Sequence, residues 1–150
     1  MKTIFYFLLI SLLFFSCNPK EENIKGELFF KLVNVIPNEG LSEPKINEIE
    51  TFLDSNKNKK DDLIDFYKTL KQNNILGNPN VDIKTNDTII RIFLNKKEYQ
   101  KISHFKLDSL RNKNKKGLIA MEIKKLKGDI YYSEKIISFK EVEGDTPYKK

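Results

Sequence analysis

The polar and apolar positions of the chain sort into segments of different period. Ile4 to Phe15 (IFYFLLISLLFF) is an unbroken apolar run behind Met1 and Lys2. A short positive start followed by such a run is the pattern of a secretory signal. As a helix, those 12 residues reach about 18 Å against a hydrocarbon core of about 30 Å, so a permanent transmembrane span is disfavoured. The polar residues 18–25 (NPKEENIK) are expected to be a flexible spacer. Gly26 to Ile36 (GELFFKLVNVI), rich in aromatic and β-branched residues, predicts a strand buried on both faces, ended by the turn Pro37-Asn38-Glu39-Gly40.

The period then becomes helical. Ser42 is placed to cap a helix carrying Ile46, Ile49, Phe52 and Leu53, and Asp61 to cap a second one carrying Leu63, Phe66, Tyr67 and Leu70. From Val81 the pattern alternates: residues 81–85 and 88–94 predict a hairpin about Asn86-Asp87. Asn95, with Glu98 three residues on, resembles a capping box that opens a short helix using Tyr99, Ile102 and Phe105. Arg111 to Lys116 (RNKNKK) reads as a loop. Residues 118–142 then predict two long alternating strands joined at Gly128-Asp129, with a polar, fraying tail after them.

Strand, two helices, hairpin, short helix and hairpin describe an α+β domain with five mostly antiparallel strands, which could close into a small barrel of the oligonucleotide/oligosaccharide-binding (OB) type. The expected organisation is a signal over 1–16, a tether over 17–25, one globular domain over 26–143 and a tail over 144–150. At 150 residues, 39% hydrophobic and 32% charged, the chain is sized and composed for one folded domain.

The formal charge of +6 raises the question of an anionic partner. Of the 27 basic residues only Arg91 and Arg111 are arginine. Bidentate phosphate recognition favours arginine, so a lysine-dominated charge reads as solvated surface, and nucleic acid is not expected as a partner.

Cys17, the single cysteine, stands where the apolar run ends. Ser16-Cys17 resembles the lipobox of bacterial lipoproteins, in which a small residue precedes a cysteine that becomes lipidated and N-terminal. The position three before the cysteine departs from the usual leucine, being Phe14. An unpaired cysteine in an exported chain needs an explanation, and acylation supplies one. The resemblance implies a signal peptide, a palmitate-type acyl anchor at Cys17 and attachment to a membrane. Each buried methylene contributes about 0.8 kcal/mol, so several chains hold a protein there almost permanently. Asn18 is not the aspartate of inner-membrane retention, which points to the outer membrane. Lys20-Glu21-Glu22 resembles the surface-sorting signal of Bacteroidota lipoproteins, with a plain charged tether as the alternative, so a periplasmic or a surface-exposed position stays open; the closing stretch 130–144 (IYYSEKIISFKEVEG) gives the chain a general likeness to small lipoproteins of that group.

Other chemistry is sparse. Asp54, Asn56, Asn58, Asp62 and Asp65 fall at ligand positions of an EF-hand-like loop, but Lys59 replaces its glycine, and Asp61 and Asp65 depart from its pattern. A solvated interhelical loop, with no metal, is the expectation. His104 is the sole histidine and cannot form a two-histidine metal site. No nucleophile elbow or phosphate loop is present, and no cofactor is implied. Lys124, Lys125, Lys127, Tyr131 and Tyr132 mix cations with aromatics on one hairpin, a weak candidate surface for a glycan or an anionic polymer. The chain is thus expected to be a lipid-anchored envelope protein with a non-enzymatic binding or scaffolding domain, meeting a glycan or an envelope protein. The alternatives are an inhibitor or immunity-type protein, or an envelope enzyme without a motif.

Overall fold

The computed structural model describes residues 21–31, 40–86 and 88–144. Its elements are β1 (Glu21–Lys31), α1 (Glu43–Ser55), α2 (Asp62–Gln72), β2 (Asn80–Lys84), β3 (Ile89–Leu94), α3 (Lys96–Ser103), α4 (Leu107–Asn112), β4 (Lys115–Lys125) and β5 (Tyr131–Glu143). The strands close into a barrel in the order β1-β2-β3-β5-β4. All pairs are antiparallel except β3 with β5, which run parallel in the register Ile92 to Tyr131 and Leu94 to Ser133. This is the OB-like closure expected from the order of elements.

Closure depends on β1 serving two neighbours. Its residues Glu21 to Glu27 pair with β4, and from Glu27 onward it pairs with β2. The strand turns this corner at Gly26, where a Cβ would lie 2.5 Å from both Ile83 Cγ2 and the Lys84 carbonyl oxygen. Only a residue without a side chain fits so close a crossing. Inside the barrel, Leu28, Val81, Ile83, Ile92, Leu94, Ile119 and Met121 meet Tyr99 and Ile102, which α3 presents.

β5 departs from simple alternation. Against β4 its register shifts between Ala120 and Met121 and again between Glu122 and Lys124. Two such bulges convert the alternating pattern into an inward residue at roughly every third position, with Ser133 and Ile136 buried and Phe139 and Val142 half-buried. The bulges curl the strand around the barrel. They also leave the Ile136 N–H facing α3, where it donates to Glu98 Oε2 at 2.8 Å.

The helical pair inserted between β1 and β2 has its own core. Ile49, Leu53, Ile64 and Leu70 pack with Ile75 and Leu76 over Phe93 and Ile130 on the outside of the barrel. Asp61 caps α2 as expected, accepting from the Leu63 and Ile64 N–H groups, a contact of about 1 kcal/mol. Asn95 likewise accepts from Lys97 N–H at the start of α3.

Six expectations need correction. Ser42 stands at the N-cap of α1 but its side chain makes no capping hydrogen bond. β1 begins at Glu21, so residues 21–25 belong to the barrel rather than to a spacer; Ile24 packs on the core while Asn23 and Lys25 beside it are exposed. Nor is β1 buried on both faces, for Phe29 and Phe30 are 39% and 46% exposed. The stretch expected as a loop holds the end of α4, where Leu110 is buried, and the start of β4 at Lys115. Glu98 does not reciprocate the Asn95 cap but reaches across to β5. Phe52 and Leu63, at helical spacing with core residues, lie on solvent-facing sides of α1 and α2. The signal segment, Cys17, the turn at 37–39 and the tail beyond Gly144 lie outside the described residues.

Candidate functional site

The outer wall of β1, β2 and β3 carries an organised polar group. Phe30 stands opposite Asp82, and Asp82 opposite Arg91. Their side chains therefore lie in one row across three strands, about 10 Å wide at the usual strand spacing. Arg91 donates from Nε to Asp82 Oδ1 at 2.8 Å and from Nη2 to Oδ2 at 3.0 Å. The carboxylate is only 14% exposed while the arginine side chain is 57% exposed. Hydrogen bonding to Asp82 raises the guanidinium pKa further above its ordinary value. In the adjacent row, Lys84 pairs with Ile89, itself half exposed.

Chemically, a two-point fork beside an open aromatic ring suits a hydroxyl-rich ring. Asp82 retains acceptor capacity and Arg91 retains donors, while Phe30 offers an apolar face. Because the fork fixes both charged groups, little ordering is left to occur on binding.

A second concavity lies between α2 and the β4–β5 turn. It has a volume of about 410 Å³ and is lined by Asp62, Asp65, Phe66, Lys127 and Asp129 among others. Lys127 Nζ reaches Asp65 Oδ2 at 2.9 Å, and this hydrogen bond holds the Asp65 carboxyl below its ordinary pKa. Phe66 belongs to the packing beneath, 6.2 Å from Phe93. The Lys127–Asp65 ion pair spans the cleft.

The residues of the EF-hand-like spacing do not converge. Asp54 pairs with Lys57, Asn56 donates to the Phe52 carbonyl, and Asp62 and Asp65 sit within α2. Among the described residues no group of three or more His, Cys, Asp or Glu side chains is placed to hold a metal ion. His104 follows the last residue of α3, exposed, with its ring tilted against that of Phe105 at a centroid distance of 4.0 Å.

The five residues expected on the last hairpin do not share one surface. Lys124 bridges Glu21 at 3.2 Å and Glu134 at 3.6 Å, whereas Lys125 reaches Asp129 and lies 5.4 Å over the Tyr131 ring. Lys127 belongs to the cleft. Tyr132 is half-buried against the helical pair, and burial raises its pKa. Each of these lysines has a carboxylate partner. Of the expected sorting residues, Glu21 and Glu22 are paired in β1 with Lys124 and Ile123, while Cys17, Asn18 and Lys20 lie outside the described residues.

Sequence reasoning passed over the Phe30, Asp82 and Arg91 row, though a signal existed. Asp82 and Arg91 are equidistant from the Asn86-Asp87 turn, so the predicted hairpin already sets them face to face. No protein-family model, curated protein or solved structure matches the chain.

Proposed function

We propose that the chain is a lipid-anchored envelope lipoprotein whose barrel is a non-enzymatic binding domain, taking a glycan on the outer wall of β1 to β3. The observation that carries this reading is the row of exposed Phe30, largely sheltered Asp82 and forked Arg91. Barrels of the OB type use this wall for oligosaccharides and oligonucleotides. That support is an analogy of fold, and the ring-plus-fork chemistry gives the site its own argument. A nucleic-acid ligand is disfavoured because one ion-paired arginine offers no track for a phosphate backbone.

Screening the detergent-solubilised protein against envelope and host glycans, followed by calorimetry on the best ligand, tests the proposal. Phe30→Ala and Arg91→Lys should each weaken binding by about tenfold, equivalent to roughly 1.4 kcal/mol, with little change in melting temperature. Binding indifferent to both substitutions would move the site elsewhere.

A second reading, a protein that blocks a toxin or hydrolase, is favoured by the groove of about 220 Å³ on the helical pair, lined by Ile49, Phe52, Leu63 and Tyr67 with the Lys45–Glu48 ion pair at its edge. Substitution of Leu63 that frees a co-purifying protein would support it over the glycan.

A further inference from the structure

Three features locate the barrel relative to a membrane, given the reading of Cys17 as a lipid anchor, on which the inference rests. First, β1 is already paired at Glu21, whose partner on β4 is Lys124. Four peptide units separate Cys17 from Glu21, and even fully extended they reach only about 14 Å. The start of β1 is therefore held at the headgroups. Second, β4 runs out at Lys125 and turns back through residues 126–130, so the β4–β5 turn adjoins the start of β1. Third, β1 leads away from that end. Phe29 lies eight residues along it, up to about 26 Å at 3.3 Å per residue, and α4 sits there, with Arg111 donating to the Phe29 carbonyl at 2.7 Å.

We propose that the β4–β5 turn end of the barrel, centred on Asp129 and Lys127, is the surface held against the phospholipid headgroups, with α4 and the Phe30 end of the outer wall carried away from the membrane. The short link sets this orientation rather than attraction. Lys124, Lys125, Lys127 and Lys135 all meet carboxylates within 4 Å, so among the described residues these four lysines form no free basic patch for anionic lipid. The α2 cleft, which Lys127 and Asp129 line, then opens toward the bilayer, while the outer wall's Phe30 end meets molecules from the aqueous side.

The test uses the full acylated lipoprotein in phosphatidylethanolamine/phosphatidylglycerol vesicles that contain a headgroup-attached nitroxide quencher. A fluorophore is placed on Asp129→Cys, whose side chain is 94% exposed, and in a separate protein on Ser109→Cys of α4, also exposed. Lys127→Cys gives a second position at the near end, and the melting temperature of each labelled protein is compared with that of the parent. The labels at 129 and 127 should lose most of their emission, in high salt as in low, while the label at 109 keeps most of its own. Vesicles that float with bound protein but quench all positions alike, or quench 109 more, would overturn the orientation while leaving the anchor standing. Quenching that vanishes in high salt would overturn the argument from the link. Failure of the protein to float with the vesicles would instead refute the anchor, and the orientation with it.

Discussion

Gly26→Ala should cost at least about 3 kcal/mol of stability, the upper part of the range for overpacking a dense interior. The Cβ so introduced would lie 2.5 Å from the Lys84 carbonyl oxygen, a backbone atom that cannot swing aside as a side-chain tip could. Relief requires β1 and β2 to separate at Glu27, the residue through which β1 passes from one neighbour to the other. The barrel would open at its corner. Gly128→Ala is the informative comparison. Gly128 has φ of +63°, yet an added Cβ meets nothing within 4 Å, so only the left-handed conformation is penalised, by about 1 to 2 kcal/mol. Urea unfolding of both variants measures the contrast, with the midpoint of Gly26→Ala falling by more than about 1 M. A Gly26→Ala protein within about 0.5 kcal/mol of the parent would mean that the corner is looser than this geometry requires.

Glu98→Ala should cost about 3 kcal/mol near neutral pH. The side chain is 9% exposed, accepts from the Ile136 N–H at 2.8 Å and pairs with Lys101 at 2.6 Å. Its removal leaves the amide freed by the β5 bulges without its partner, and an orphaned buried donor is the costly half of a lost hydrogen bond. Glu98→Gln keeps an acceptor for that amide and loses only the charge, so a loss of about 1 kcal/mol is expected.

The same residue sets an acid limb. Burial alone would raise the Glu98 carboxyl, but the Lys101 hydrogen bond and the Ile136 N–H outweigh it and hold the pKa below the ordinary 4.5. Stability from this group is therefore complete above pH 4.5 and is lost as pH falls through the lower, folded value. The parent should lose stability across that acid interval relative to Glu98→Gln, as thermal melts in parallel buffers would show. Parallel pH profiles for the two proteins would contradict the role given to Glu98.

Much of the architecture was legible because its signals are local. Asp61 and Asn95 announce their helices by side-chain chemistry one residue ahead of the first turn, and the alternating runs 81–85 and 88–94, only two residues apart, already predict the β2–β3 register. What escaped depends on distant partners. Glu21 to Lys25 look like a tether because their strand character comes from β4, about a hundred residues away. Leu107 and Leu110 are too few to declare a helix, and α4 is held by what it packs on. The bulges of β5 are invisible in an alternating pattern because they arise from curling around a closed barrel. The candidate site divides the same way. Asp82 with Arg91 could be inferred from the turn between them, whereas Phe30 joins them only through the pairing of β1 with β2, across two helices and the segment outside the described residues.

The claim that Cys17 is a lipid anchor fixes both where this barrel works and which way it faces, and fractionation of cells expressing the full chain tests it most directly. The parent should sediment with membranes and leave them only in detergent, and Cys17→Ala carried behind a signal that is cleaved without a lipobox should move to the soluble fraction as a folded domain with an unchanged melting temperature. A folded Cys17→Ala protein that still sediments with membranes would contradict the anchor and the orientation built on it.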